Sequence, residues 1–255
     1  WQAFHDPLTG LFNRAGMQNR LEHLLARTKH SNRLLAVCLI DLNDFKPIND
    51  QYGHEAGDKV LQEISRRMEE QVRKGDLVAR LGGDEFLVAL ESLQSMDRCG
   101  KVVDGLIRAI GEPIALPGVQ TAQQVHPSIG VAVYPLSGAE DIEGLLREAD
   151  RAMYSAKERK HHPGQSRWLL YDAQRDDLKE QKRKASKLFQ NGTICSYYQP
   201  IVSLVDGNVV AVEALARIAN KEGKIHGPAE FTTLMNHCEE QLLTATMIEN
   251  AVYNL

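Results

Sequence analysis

Apolar and polar positions alternate along this chain in segments whose period changes several times. Leu34 to Ile40 is a nearly continuous apolar run closed by Asp41, the pattern of a strand buried on both faces with a carboxylate at its C-terminal edge. Leu77, Ala79 and Leu81 alternate before Gly82-Gly83, and Phe86, Val88 and Leu90 alternate after it, which predicts a β-hairpin with Asp84 and Glu85 at its tip. Val125 to Tyr134 alternates as a further strand and stops at Pro135. Helical spacing joins Met17, Leu21, Leu24 and Leu25, with Asn13 as cap, then Ala56, Val60, Leu61, Ile64 and Met68. It recurs at Val102, Val103, Leu106, Ile107 and Ile110, which Glu112-Pro113 stops, and at Ile142, Leu145, Leu146, Ala149 and Met153 on to Lys157. Asn43 to Asn49 reads as a short helix or turn. Because a hairpin interrupts the helix–strand alternation, the pattern predicts an α+β fold, a mainly antiparallel sheet with packed helices, rather than a doubly wound parallel sheet.

The pattern changes after Tyr171. Asp172 to Gln190 is densely charged with few large apolar residues and predicts an exposed helical connector. Ile194 to Leu204 and Val209 to Leu215 are strand-like runs around the turn Asp206-Gly207-Asn208, and a helical stretch begins near Pro228. The expected organisation is a first domain over residues 1–171, a connector over 172–192 and a shorter segment over 193–255. At 255 residues, 43% hydrophobic and 25% charged, with a net charge of −4, the chain is ordinary globular material whose overall charge asks for neither nucleic acid nor a membrane surface. Cys38, Cys99, Cys195 and Cys238 are scattered and predict reduced thiols. No apolar run spans a bilayer and no signal-peptide pattern opens the chain, so a cytoplasmic segment is expected. The start at Trp1 suggests a piece of a longer protein, whose preceding region is open to a membrane anchor.

Chemistry enters through the acids. Gly-Gly-Asp-Glu by itself is also what a solvated turn looks like. If the hairpin pairs beside the Asp41 strand, however, Asp41, Asp84 and Glu85 converge on one point. Converging hard oxygens repel unless a cation offsets them, which suits Mg²⁺ or Mn²⁺ holding a nucleoside triphosphate. Lys46 and Lys157 are available to neutralise phosphate, and Asn49 and Asp58 carry the groups that pair with a guanine edge. The charges of Arg73-Lys74-Gly75-Asp76 admit a solvated helix terminus as well as a binding site.

Taken in order, Asp6-Pro7-Leu8-Thr9-Gly10-Leu11-Phe12-Asn13-Arg14, Asp41-Leu42-Asn43-Asp44-Phe45-Lys46-Pro47-Ile48-Asn49-Asp50, Gly53-His54-Glu55-Ala56-Gly57-Asp58 and Gly82-Gly83-Asp84-Glu85-Phe86 resemble the GGDEF family of diguanylate cyclases over residues 1–171. The resemblance implies a fold like the nucleotidyl-cyclase and polymerase palm. It implies condensation of two GTP to cyclic di-GMP and two pyrophosphates by a homodimer in which each subunit presents one nucleotide to the other. By the same resemblance Asp41, the Leu42 carbonyl and Asp84 hold metal, with Asp84 also as proton acceptor and Glu85 in support. Lys46 and Lys157 serve the phosphates, and Asn49, His54 and Asp58 contact substrate. Arg73 and Asp76 match the family's inhibitory product site. Two departures stand out: Asn43 where the family commonly has a second Asp, and Lys160-His161-His162 where it usually shows Gly-Arg-Asn, which bears on turnover rather than on the fold. The alternative implied function is a weakly catalytic module that binds GTP or cyclic di-GMP and regulates a phosphodiesterase.

Tyr197-Tyr198-Gln199-Pro200-Ile201-Val202 and Glu213-Ala214-Leu215-Ala216-Arg217 resemble the opening of an EAL phosphodiesterase, a metal-containing α/β barrel. Glu213 is implied as a metal ligand, with Gln199 and Arg217 near substrate. An eight-stranded barrel takes roughly 200 residues or more. A truncated barrel is therefore expected over 193–255, without phosphodiesterase activity of its own.

Overall fold

The structure, a computed structural model, describes residues 3–159 and 167–254. It divides into two compact units, Trp1–Ala173 and Gln174–Leu255. In the first, helix α1 (Arg14–Lys29) is capped by Asn13, whose side chain accepts from the Gly16 amide at 2.9 Å. There follow β1 (Leu34–Asn43), α2 (Phe45–Tyr52), α3 (His54–Gln71), β2 (Leu77–Gly82), β3 (Glu85–Leu93), α4 (Met96–Ile110), β4 (His126–Tyr134), α5 (Ile142–Glu158) and β5 (Trp168–Leu170). The strands form one sheet in the order β2-β3-β1-β4-β5, antiparallel except for the last pair. The expected hairpin is β2–β3. The apolar first strand is the sheet's centre, flanked on both sides and covered on both faces, which is why it reads as unbroken hydrophobicity.

Alternation along β1 divides its side chains between two cores. Cys38, Ile40 and Leu42 join α2, α3 and α4 on one face, while Leu35, Val37 and Leu39 join α1 and α5 on the other. Asp41 belongs by alternation to the α5 face. Two residues set the packing. Gly130 in β4 lies so close to α5 that a Cβ there would run into the Ala149 carbonyl and the Met153 amide, and would sit 2.7 Å from Met153 Cα. Arg67, buried in α3, donates to the carbonyls of Ala109, Glu112 and Pro113 at 3.0, 2.6 and 3.0 Å, satisfying the C-terminal end of α4. Glu63 holds that guanidinium from one turn earlier, at 2.8 Å. Cys38 and Cys99 are free and buried in the α2–α4 core.

The second unit contains α6 (Ala173–Asn191), β6 (Thr193–Val202), β7 (Val209–Ala219), β8 (Ile225–His226), a 3-10 turn (Pro228–Glu230) and α7 (His237–Asn254). Its sheet has the order β6-β7-β8 and is antiparallel. The expected exposed connector needs correction: Ala185 and Phe189 of α6 are buried with Ile218 and Phe231, and the Phe189 and Phe231 rings meet edge to face at 5.6 Å. One narrow apolar stripe is enough to enter a small core. The helix expected from Pro228 is a single turn there, and the long helix starts at His237. Among the described residues no helix is long and apolar enough to cross a membrane.

Candidate active site

The C-terminal end of β1 carries the site. Register places Asp41 opposite Glu85 on β3 and opposite Ser128 on β4. The next residue, Leu42, donates its amide to the Asp84 carbonyl at 3.2 Å. In an antiparallel ladder a residue's N–H and C=O point to the same side, so the Leu42 carbonyl also faces the hairpin tip. Asp84 is half-buried and Glu85 exposed. The tip bends through Gly82 at φ +147° and Gly83 at φ +53°, angles that favour glycine.

Asp41 is buried, and its Oδ2 accepts from Lys157 Nζ at 2.8 Å. Asp41 Oδ1 is buried with no hydrogen-bond partner. The hydrogen bond to Asp41 raises the Lys157 pKa against the effect of partial burial, and the charges of Asp41, Asp84 and Glu85 add to it. The geometry adds two facts to the sequence reading. Among the described residues no three His, Cys, Asp or Glu side chains gather tightly enough to cage an ion, so Asp41, Asp84 and Glu85 do not form a three-carboxylate cluster. Lys157, read as a phosphate ligand, is engaged with Asp41. What remains fits a hard divalent cation: an unsatisfied buried carboxylate oxygen, a second carboxylate on the adjoining turn and a strand carbonyl facing the same side.

Asn43 ends the strand as an anchor. Its amide donates to the His126 carbonyl and to Ser128 Oγ, both at 2.9 Å, and its oxygen accepts from that hydroxyl at 3.2 Å. A carboxylate could not make the first bond. The chain then turns through Asp44 at φ +60° into α2. Lys46 and Asn49 lie three residues apart on one side of α2, Lys46 exposed and Asn49 half-buried, while His54 and Asp58 are exposed one turn apart at the start of α3. Gly57 lets the Asn49 side chain close against α3, because a Cβ there would overlap the Asn49 amide oxygen. These residues form a second group, on helices packed against the opposite face of the sheet from α5.

Sequence reading passed over the residue that ties down the hairpin. Arg80 donates to the Gly83 carbonyl through Nε at 3.1 Å and Nη2 at 2.8 Å, and to Asp6 Oδ1 and Oδ2 through Nη1 at 3.1 and 3.3 Å. Burial works against the Asp6 carboxylate, yet hydrogen bonds from the Thr9 hydroxyl, the Thr9 amide and Arg80 hold its pKa below the ordinary value. The Arg80 amide also donates to the Phe12 carbonyl at 2.8 Å, so residues 6–12 are fastened to β2. An arginine two residues before the Gly82-Gly83 turn was the available signal.

Arg73 and Asp76 stand at the other end of the hairpin from the acids. The Asp76 carboxylate, only 6% exposed, accepts from the Arg73 amide at 3.2 Å, Arg73 Nε at 3.3 Å and the Glu91 amide at 3.1 Å. Arg73 also donates to the Glu91 carbonyl, and Glu91 meets Arg27 at 3.3 Å. The pair is thus engaged with itself and with backbone. A cavity of about 510 Å³ opens beside it, lined by Phe12, Arg20, His23, Lys74 and Asp76 among others. In the second unit Gln199 faces Glu213 across β6–β7, both exposed. Arg217 lies on the same face, 5.6 Å from the centre of the Tyr197 ring, and donates to the Ala216 carbonyl at 2.8 Å. Lys160-His161-His162 lies outside the described residues.

Residues 3–163 match the family described as Diguanylate cyclase, GGDEF domain, and residues 182–255 match the EAL domain. The chain is 45% identical over 156 residues to Diguanylate cyclase TpbB of Pseudomonas aeruginosa, covering 61% of this chain and 35% of that one. A structure of the isolated GGDEF domain of that protein superposes with a TM-score of 0.63 at 39% identity, over 69% of this chain and 99% of the other. Two further relatives from the same organism match 91% of the chain. The Bifunctional diguanylate cyclase/cyclic di-GMP phosphodiesterase MucR is 33% identical, with 33% of its own length covered, and Cyclic di-GMP phosphodiesterase NbdA is 36% identical, with 29% covered. The chain therefore spans about a third of these curated relatives.

Proposed function

From the premise that this chain belongs to the GGDEF family, with a partial EAL domain after it, we propose that its first domain, expected over residues 1–171, condenses two GTP into cyclic di-GMP and two pyrophosphates with Mg²⁺ or Mn²⁺. The observation that carries this reading is the register of β1 against the hairpin, which sets Asp41 and the Asp84 turn at one end of the sheet with a buried carboxylate oxygen unsatisfied. Asp41, the Leu42 carbonyl and Asp84 would hold the ion, with Glu85 beside them. The ion supplies charge neutralisation on the triphosphate and acidifies the attacking hydroxyl. Asp84 receives the proton of that 3′-hydroxyl. Lys46 and Lys157 offset charge on the departing pyrophosphate, and Asn49 and Asp58 select guanine by its hydrogen-bonding edge, with His54 at the rim. One site holds one nucleotide while the product joins two, so two copies of the chain face each other as a homodimer. Arg73 and Asp76, beside the cavity, bind product and restrain the enzyme, which requires the guanidinium to leave the Glu91 carbonyl.

Incubating the purified chain with GTP and Mg²⁺ or Mn²⁺ and separating nucleotides by chromatography tests the reading. Cyclic di-GMP from wild type and none from Asp84→Asn supports it; no product from wild type at any protein concentration overturns it. Likeness to a relative named as a phosphodiesterase favours a second reading, in which the domain binds GTP or cyclic di-GMP and regulates an EAL domain. Stoichiometric nucleotide binding without turnover separates that reading from the first. The EAL residues Gln199, Glu213 and Arg217 belong to a partial domain, and hydrolysis by this chain is not part of the proposal.

A further inference from the structure

We infer that Lys157 is a resident counter-ion for Asp41, which a divalent cation must displace, so that metal entry and release of the lysine toward phosphate are a single exchange. This deepens the cyclase reading and depends on it. Asp41 is a buried carboxylate with one oxygen unpartnered, and among the described residues the hydrogen bond from Lys157 at 2.8 Å is what compensates its charge. The two partners differ in freedom. The Lys157 side chain is 43% exposed and that of Asp41 only 11%, so the lysine is the partner able to leave.

The helix is packed closely on the sheet. α5 is seated directly on Gly130, where its backbone at Ala149 and Met153 leaves no room for a Cβ, and its first turn is capped by Asp141, which accepts from the Gly144 amide at 2.7 Å. Lys157 in its last turn therefore moves by side-chain rotation, over a stem of four methylenes. A divalent ion on Asp41 Oδ1 would lie within one carboxylate's width of the ammonium, and two cations that close repel each other. The charges of Asp84 and Glu85 act on the same ammonium, so the lysine rotates within the field of the hairpin tip.

The consequence is an ordered site. Without nucleotide the lysine competes with metal for the Asp41 carboxylate; with nucleotide the phosphates would draw the lysine off and leave that carboxylate to the ion. Mn²⁺ binding followed by electron paramagnetic resonance, with and without a non-reactive GTP analogue, reads this directly. Lys157→Met, which keeps the stem and removes the charge, is expected to bind Mn²⁺ roughly tenfold more tightly than wild type when nucleotide is absent, and to bind the analogue more weakly. Lys157→Gln serves as a second variant, circular dichroism checks that both fold, and Asp41→Asn is expected to lose Mn²⁺ in either background. Equal or weaker nucleotide-free Mn²⁺ affinity in both lysine variants overturns the inference while leaving the cyclase reading standing. Absence of Asp41-dependent Mn²⁺ binding by wild type with the analogue present overturns both.

Discussion

Replacing Arg80 by alanine tests whether the hairpin tip is held from the side. The guanidinium makes two bonds to the Gly83 carbonyl and two to Asp6, and the two side chains are only 12% and 19% exposed. Hydrogen bonds to charged groups contribute roughly 1.5–3 kcal/mol each, and they are not additive when one group makes several. Two features lower the sum. Asp6 keeps its bonds from the Thr9 amide and hydroxyl at 2.9 and 2.6 Å, and the Gly83 carbonyl lies at an exposed turn where water can replace the arginine. A loss of about 2–3 kcal/mol in unfolding free energy is therefore expected. The effect on turnover should be larger, because displacement of a reacting group by about 1 Å costs on the order of 10²-fold. The groups proposed to bind the base and phosphates lie on α2, α3 and α5, so kcat should fall about 10–100-fold with KM for GTP little changed. Urea titration, pyrophosphate-release kinetics and hydrogen exchange at residues 82–85 measure the three quantities. The milder change Arg80→Lys should recover only part of the stability, since a point charge cannot serve both partners at once. Wild-type stability and kcat in Arg80→Ala, or a rise in KM alone, would refute the reasoning.

Glu63 offers a pH test with a definite sign. Its hydrogen bond from Arg66, opposed by burial and reinforced by Arg67, lowers its pKa from 4.5 to about 2. A depressed carboxylate stabilises the fold fully above its unfolded value, and that contribution disappears as pH falls from 4.5 toward about 2. Glu63→Gln should thus be less stable than wild type at pH 7, with the gap closing across that acid window in urea melts. Gly130→Ala should lose about 3 kcal/mol or more, or fail to fold, because the new methyl meets helix backbone that cannot rotate away; thermal unfolding decides this. Asn43→Asp should cost about 1–3 kcal/mol at neutral pH by leaving the His126 carbonyl without its donor, and an unchanged melting temperature would show that the amide is not an anchor.

The sheet and its helices were largely legible because each long strand of the first unit has a strong two-residue or continuous apolar pattern. Where reading failed, the missing information was non-local. The apolar run stops at Ile40, but β1 continues to Asn43 because Asp41 and Asn43 find partners on other elements, which no periodicity can reveal. β5 is three residues long and pairs in parallel with β4, too short to have a pattern. α6 looked exposed by composition and for most of its length is, yet Ala185 and Phe189 are buried and Leu188 partly buried along one stripe. In the site, motif spacing singled out the acids and Lys157 but not the contact between Lys157 and Asp41. Arg80 was missed because its carboxylate partner, Asp6, is remote along the chain. Motifs identify residue types; the pairings that decide their protonation and position come from the fold.

The strand order β2-β3-β1-β4-β5 also has a consequence during synthesis. The most apolar strand leaves the ribosome early, yet both of its neighbours are encoded later: β3 ends at Leu93 and β4 at Tyr134. At about 5–20 residues per second, one open edge of Leu34–Asn43 waits roughly 5–20 s in the nascent chain for β4 to arrive. Until then it is a template for any other extended polypeptide nearby. Premature termination anywhere between Leu93 and Tyr134 should consequently yield sticky, chaperone-dependent fragments, whereas a stop placed after Ala173 should release a particle whose central strand is already sealed on both sides.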